Sequence, residues 1–386
     1  MVWAGLPLLL AALNELALNV ALPSIGDEFS LDVSAVRWTL LAFLIADAAV
    51  LILAGRYGDR VGRRRTSVIG LILIAAGSMI CLFAPTFTLL LVGRVVEGIG
   101  MGVLFSGLLA IITDAVPRES IGRAFGVWAF IGAIALFVSP VVGGFLAEHL
   151  SWRWIFGLNA VIAIVALVAS RRVILSGPTD GDLRPLQHAA LRKIRPYVGG
   201  TAVVATVYLT MAMTWIALVF HVRAVHSFGP TATGLLVIAY GIWWLALPPF
   251  TGRIADRIGV RRPMLWGTGL SIVGFGLLAF AATAESLILL SIGLSVVGIG
   301  VAFTIPAANA AAMGSVPADI RGDASGINMT VRIVGSILGV LVASVLLASA
   351  SRDDVMLAAP WIWLVAAAAM AFAVIATTVS IRPSAQ

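Results

Sequence analysis

The chain has a single cysteine, Cys81, and a single lysine, Lys193, among 25 basic residues. One cysteine excludes a disulfide framework. The near absence of lysine points to a GC-rich, bacterial genome. Charge is scarce as well: Asp, Glu, Lys and Arg make up 11% of the residues, against about 25% in a soluble domain. Hydrophobic residues reach 61%, more than one water-soluble core can hide, so lipid must be the solvent for most of the surface. There is no phosphate-cradling loop of the kind that drives an ATP-powered pump, no zinc-ligand spacing and no nucleophile elbow. Neither an enzyme, a cofactor nor a metal is therefore expected. The four histidines, His149, His188, His221 and His226, lie in or near expected loops, and His221 and His226 read as the solvated edge of one of them.

What the chain does have is apolar length. Twelve stretches of about 20 residues, enough to cross the hydrocarbon core, run over about 3–24, 35–57, 66–84, 88–112, 121–147, 152–171, 198–221, 232–252, 263–283, 286–312, 323–349 and 359–381. The first is too long, and too polar at Asn14, Glu15 and Asn19, for a cleavable signal peptide. The net charge of +7 is no sign of nucleic-acid binding, because the basic residues are confined to alternate loops. Arg56, Arg60, Arg63, Arg64 and Arg65 crowd one loop. Arg171, Arg172, Arg184, Arg192, Lys193 and Arg195 crowd a central linker, and Arg253, Arg257, Arg261 and Arg262 a third segment. The intervening loops hold Asp27, Glu28, Asp32, Glu148, Glu285, Asp353 and Asp354. By the positive-inside rule both termini and the linker face the cytoplasm of a plasma-membrane protein.

The chain also repeats itself. Gly55-Arg-Tyr-Gly58-Asp59-Arg60-Val-Gly62-Arg63-Arg64-Arg65 returns 197 residues later as Gly252-Arg-Ile-Ala255-Asp256-Arg257-Ile-Gly259-Val-Arg261-Arg262. Gly98-Ile-Gly100 and Val116-Pro117 realign with Gly298-Ile-Gly300 and Val316-Pro317 at an offset of 200. Trp152-Arg-Trp154 echoes Trp361-Ile-Trp363 at the start of the last span of each half. The expected organisation is an N-terminal six-helix bundle over 1–172, a cytoplasmic linker over 173–197 with a short amphipathic helix near Leu186–Ile194, and a C-terminal six-helix bundle over 198–386. Parallel repeats of this kind are one way to build a secondary transporter.

These motifs resemble those of the major facilitator superfamily, and within it the drug/proton antiporters. The 55–65 segment is similar to the signature between the second and third helices. Arg94-Val-Val-Glu97-Gly98-Ile-Gly100 is similar to the fourth-helix signature, with Glu97 where Gln is common. Gly126, Ala135, Ser139, Pro140, Gly143 and Gly144 resemble the antiporter spine of the fifth helix, with Ala135 and Ser139 in place of glycines. Leu13-Asn14-Glu15 resembles a first-helix motif of the larger exporters, which normally has Asp where Asn14 stands. The resemblance implies an all-α fold of twelve transmembrane helices in two pseudo-symmetric six-helix bundles, working by alternating access.

The two halves differ in chemistry. Arg94 and Glu97 align with Leu294 and Val297, and Glu15 and Asp47 have no acidic counterpart in spans seven and eight. A charge at mid-membrane costs about 2.5–3.5 kcal/mol on insertion scales, so charges kept in one half only have work to do. At about 1.5 Å per residue, Glu15, Asp47 and Glu97 fall near the bilayer midplane, where such transporters bind substrate. Glu15 or Asp47 is expected to carry a proton, with Arg94 tuning the site and Glu97 as its partner, one turn away. Gly55, Gly58, Asp59, Arg60, Gly62 and Arg63 are expected to form a gate with Asp114, mirrored by Asp256 and Arg257. Pro140, Gly143 and Gly144 are expected to shape a bend and close packing, and Pro248 and Pro249 to kink span eight.

The second half offers aromatic and sulfur-bearing walls: Tyr208, Met211 and Trp215 on one helical face, and Tyr240 and Trp243 in the next span. With Asn14, Asn19, Asn328 and Arg332 they are the expected substrate contacts. The reading is a proton-coupled exporter of lipophilic small molecules, a monomer in the bilayer with small-molecule cargo and protons as its partners and no nucleic acid. The alternatives are a proton symporter or uniporter for a polar metabolite on the same fold, or a non-transporting membrane sensor.

Overall fold

The computed structural model describes residues 2–61, 63–114, 121–173, 191–317, 320–347 and 352–381. Within these, side chains are outside the description at 2–4, 52–53, 55–64, 107–114, 121–130, 133, 171–173, 321–322 and 352–354. All regular elements among the described residues are helices: α1 (Val2–Ala12), a π-helical turn (Leu13–Ala17), α2 (Leu18–Phe29), α3 (Val33–Val36), α4 (Trp38–Val61), α5 (Arg63–Leu82), α6 (Phe87–Asp114), α7 (Ile121–His149), α8 (Arg153–Val173), α9 (Arg195–His226), α10 (Pro230–Ala246), α11 (Pro248–Ile258), α12 (Arg261–Thr283), α13 (Leu287–Gly314), α14 (Arg321–Leu346) and α15 (Arg352–Ser380). A helix satisfies its backbone internally, which is what a chain passing through hydrocarbon requires.

Ten of these helical segments are long and apolar enough to cross a membrane, or eleven if α10 and α11 form one span. Twelve spans were expected. The remaining expected span is α7, 29 residues long, of which Ile134–His149 is an apolar stretch among the residues whose side chains are described. α10 and α11 meet at a 45° bend, where Pro248 and Pro249 open α11; a proline ring removes an N–H and clashes with the preceding turn. The charged segments expected as loops are almost wholly helical. α4 runs through Val61 and α5 starts at Arg63, while between α11 and α12 only Gly259 and Val260 intervene, Gly259 at φ 80°. That backbone conformation suits glycine, which has no Cβ to clash.

Contacts divide the chain into two units, Met1–Arg184 with Gly229–Gly234, and Pro185–Phe228 with Leu235–Gln386. In the first, α6 packs on α4 and α5, and α5 also packs on α8. In the second, α13 packs on α12, α12 on α15, and α9 on α13, α14 and α15. Glycines set these approaches, and they do so at equivalent positions. A Cβ on Gly70 would lie 2.8 Å from the Gly100 carbonyl, and one on Gly267 would strike the Gly300 carbonyl. Gly77 faces Glu97 as Gly274 faces Val297, and Gly93 faces Cys81 as Gly293 faces Leu278. Gly98 sits on the Phe43 carbonyl as Gly298 sits on that of Tyr240. Lipid is as apolar as a leucine side chain, so close approach through small residues replaces the hydrophobic effect as the force between helices.

Two expectations change. Trp152 is buried and Trp154 exposed, whereas Trp361 is exposed and Trp363 buried. The two tryptophan pairs therefore differ in which member is buried. Most of the expected linker helix Leu186–Ile194 lies outside the described residues, but Leu191 is buried with Tyr197, Ala312, Val316, Ile320 and Ala324. The Tyr197 hydroxyl donates to the Ala324 carbonyl at 3.0 Å.

Gly98→Ala and Gly298→Ala should each lower the thermal unfolding midpoint of the purified protein, since overpacking costs about 1–3 kcal/mol. Gly269→Ala and Gly276→Ala, whose new Cβ meets nothing within 4 Å, should leave the midpoint unchanged or raise it by removing backbone freedom from the unfolded chain. Equal effects at all four positions would refute the close-approach account.

Candidate functional site

The centre of the first unit is Arg94, fully buried on α6. Its Nε donates to the Thr39 carbonyl of α4 at 2.9 Å. Nη1 donates to the Asn14 side-chain oxygen and, at 2.6 Å, to Glu97 Oε2. Nη2 reaches the Asn14 carbonyl at 3.3 Å, and the guanidinium lies over the Phe43 ring at 4.4 Å. Glu97, equally buried, accepts a second hydrogen bond from Ser78 of α5 at 2.5 Å. One guanidinium thus joins the π-helical turn, α4 and α6, and through Glu97 also α5. The planar fork of arginine suits such a node, because its donors point in fixed directions.

The π-helical turn is where the first span departs from regular helix, with the Leu18 N–H reaching back to Leu13 O. Such single wide turns occur often at functional sites. This one carries Asn14 and Glu15. The Asn14 amide is engaged on both sides, accepting from Arg94 and donating to the Leu10 carbonyl at 3.0 Å. Asn19, one turn on, donates to Glu15 O at 2.5 Å. Glu15 is half-buried. Asp47, midway along α4, is buried, and its backbone and side chain lie against Gly102 of α6, where a Cβ would be 3.1 Å from Oδ1. Gly143 of α7 allows the π-helical turn to come close, since a Cβ there would meet Ala17 at 2.5 Å. The first turn of α10 belongs to this unit too. Gly144 sits on the Pro230 carbonyl, Gly234 on that of Pro140, and the Glu148 carboxylate accepts from the Thr231 N–H at 2.8 Å. Pro140, Gly143 and Gly144 thus serve close packing. The Thr231 side chain and backbone N–H hold the Glu148 carboxyl below its usual range.

In the second unit the positions equivalent to Ser78, Arg94 and Glu97 hold Phe275, Leu294 and Val297, all buried. Polar chemistry moves elsewhere. The Arg332 guanidinium of α14 lies over the Tyr208 ring of α9 at 5.0 Å. Asn328, one turn before it, donates to Asn309 of α13 at 3.0 Å. Trp215 and Tyr240 pack edge to face at 5.0 Å, and Tyr240 meets Trp244 at 6.0 Å. The Tyr240 hydroxyl, the Trp243 indole nitrogen and Asn328 Oδ1 are buried with no protein partner among the described residues. Met211 is buried on the same face of α9 as Trp215.

Among the expected gate residues, Asp256 and Arg257 are exposed on the last turn of α11. Gly62 lies outside the described residues. Gly55, Gly58, Asp59, Arg60, Arg63 and Asp114 lie in helices whose side chains there are outside the description. Sequence reasoning missed Thr39, Phe43, Ser78 and Asn309. It also missed the pairing of Glu28 with Arg153 at 2.5 Å and with the Trp152 indole at 2.7 Å. His221, expected at a loop edge, is fully buried inside α9, which continues to His226.

The sequence pattern of the Major Facilitator Superfamily matches residues 6–222 and again residues 200–385. The chain belongs to this family. The multidrug resistance protein Stp of Mycobacterium tuberculosis is 26% identical over 402 residues, covering 89% of this chain and 75% of its own. The tetracenomycin C resistance and export protein of Streptomyces glaucescens is 24% identical over 409 residues, again 89% and 75%. These relatives support a place in the drug-efflux branch. A D-xylose–proton symporter structure superposes with a TM-score of 0.76 over 98% of each chain at 17% identity, a likeness of fold. This member of the superfamily is a multi-pass membrane transporter.

Arg94→Leu should destabilise the protein by about 3–5 kcal/mol, because it leaves Glu97 buried without its partner. The double variant Arg94→Leu/Glu97→Val copies the second unit and should recover most of that loss in thermal unfolding. A double variant as unstable as the single one would sink this account of the pair.

Proposed function

We propose that this transporter exports lipophilic small molecules in exchange for protons, with Asp47 and Glu15 as the proton-binding carboxylates. The observation that carries this reading is Asp47, a carboxylate 6% exposed in the middle of a membrane helix, in the same unit as an arginine whose fork is engaged by Thr39, Asn14 and Glu97. Arg94 and Glu97 are the fixed scaffold that positions the π-helical turn and with it Glu15. An intramembrane ionisable residue is a functional site by default.

Cargo would be held mainly by the second unit. Tyr208, Met211, Trp215, Tyr240 and Trp243 offer a broad apolar surface. The Tyr240 hydroxyl and Trp243 N–H add two buried polar atoms that a ligand or water can satisfy. Adaptable aromatic and methionine walls suit cargo varied in shape. The names of Stp and the tetracenomycin C exporter agree with such cargo. Alternating access would expose these groups to each side of the membrane in turn, with both termini in the cytoplasm. One proton moving down 100 mV releases about 2.3 kcal/mol, enough to sustain roughly a fifty-fold gradient at 1.4 kcal/mol per factor of ten.

The test uses inverted membrane vesicles from an efflux-deficient bacterium, energised to acidify their interior. Adding a lipophilic cation should release protons from vesicles carrying the wild-type chain. Asp47→Asn should reduce that release at least tenfold, and Glu15→Gln should weaken it. If a broad panel of lipophilic compounds releases no protons although the purified protein is folded, drug–proton exchange is wrong, and symport of a polar metabolite becomes the reading to pursue.

A further inference from the structure

The spans of the second unit carry no carboxylate in α9, α12 or α13, nor in α14 beyond Asp323. They do carry a buried histidine. His221 is fully buried one turn before the end of α9, and neither ring nitrogen has a hydrogen-bond partner among the described residues. Its ring stands edge to face with that of His226, centroids 6.3 Å apart, and with the indole of Trp363 on α15 at 5.7 Å. His226 Nε2 and Trp363 Nε1 are likewise buried and without a partner among the described residues. Three neighbouring rings therefore carry four buried nitrogens with no partner among the described residues.

A buried polar group left unsatisfied costs about 1–3 kcal/mol, and proteins meet such groups with water where two or more polar partners converge. A water hydrogen-bonded on both sides joins nitrogens about 5 Å apart, a span that rings with centroids 5.7 and 6.3 Å apart can present at their edges. The chemistry is complementary as well. Indole only donates, while neutral imidazole both donates and accepts. Trp363 N–H can give to a water that in turn gives to the accepting nitrogen of His221. A protonated imidazole has two donors and no acceptor, so a proton on His221 needs an acceptor nearby, and the second imidazole supplies it through the same water.

We propose that His221 and His226, bridged by water and oriented by Trp363, bind one proton between them, giving the second unit a protonation site of its own. The site lies at the packing of α9 on α15, so its charge state bears on how tightly those helices meet. The other groups facing it are few. Arg223 is on α9 itself, between the two histidines. α13 over 287–304 and α14 over 333–347 bring no titratable side chain. Glu285 precedes α13, and Arg352, Asp353 and Asp354 occupy the first turn of α15, nine or more residues before Trp363. The site works whether the cargo is a drug or a polar metabolite.

The test needs no transport. The chain has four histidines, so the full-length protein, labelled with 13C at histidine Cε1 and placed in lipid nanodiscs, gives four signals to follow from about pH 4 to 9, either side of the ordinary imidazole range. His→Asn variants at 149, 188 and 226 identify the His221 signal by elimination even if His221→Asn does not fold. The His221 and His226 signals should shift together in two coupled steps. His226→Asn should reduce the His221 response to one step, and Trp363→Phe should move its midpoint. A His221 signal that stays fixed across the range, or one that titrates unchanged in His226→Asn, overturns the proposal.

Discussion

The Arg94 guanidinium is the constraint on which the first unit depends. Its Nε, Nη1 and Nη2 fix the Thr39 carbonyl, the Asn14 amide and backbone, and Glu97. Three helical segments are held in both position and rotation. Close packing through glycines fixes distance between helices but specifies rotation weakly, because a small residue presents little shape. A hydrogen-bonded fork specifies direction. In a medium that offers no competing water, that direction persists, provided every charged atom is satisfied. Ser78 and Arg94 meet that condition for Glu97.

The second unit shows that the fold itself does not require this node. Phe275, Leu294 and Val297 fill the equivalent space, while Gly274, Gly293 and Gly298 keep the same backbone approaches as Gly77, Gly93 and Gly98. Replacing a buried ion pair with apolar residues of fitting volume is often neutral or stabilising. An apolar core would therefore have served the first unit as well, if stability were all it needed. What the node adds is the setting of the π-helical turn, which carries Asn14 and Glu15 and is approached by α7 through Gly143. The polar core is thus tied to the one place where the first span is irregular.

Much of this was legible in the sequence, and the rest was not for identifiable reasons. The glycine repeats, the proline bend and the proximity of Arg94 to Glu97 follow from spacing along one helix or between two copies. Thr39 was invisible because it contributes a backbone carbonyl, which has no side-chain signature, from 55 residues away. Asn14 stands 80 residues from Arg94; its polarity within an apolar span and its place in the first-helix motif marked it, but neither signal named its partner. His221 was misread because the apolar pattern fades at Phe220 while the helix continues to His226. The same overrun hid how much of the charged signatures at 55–65 and 252–262 is helical among the described residues. Hydropathy marks where lipid ends; the helix runs on as long as its hydrogen bonds do.

The duplication separates two kinds of position. The glycines at the helix crossings must stay glycine, because a Cβ there strikes the neighbour in both units. Positions on the same helix a turn away are free to diverge in chemistry. Gly93 and Gly98 have kept their partners as Gly293 and Gly298, while Arg94 and Glu97, lying between them, became Leu294 and Val297. Such a framework lets a duplicated protein change its polar groups without changing how its helices meet. One unit could then specialise in carboxylates set by a guanidinium, and the other in aromatic surface and imidazole. The division of chemistry between the units is a consequence of a packing scheme that leaves those intervening positions unconstrained.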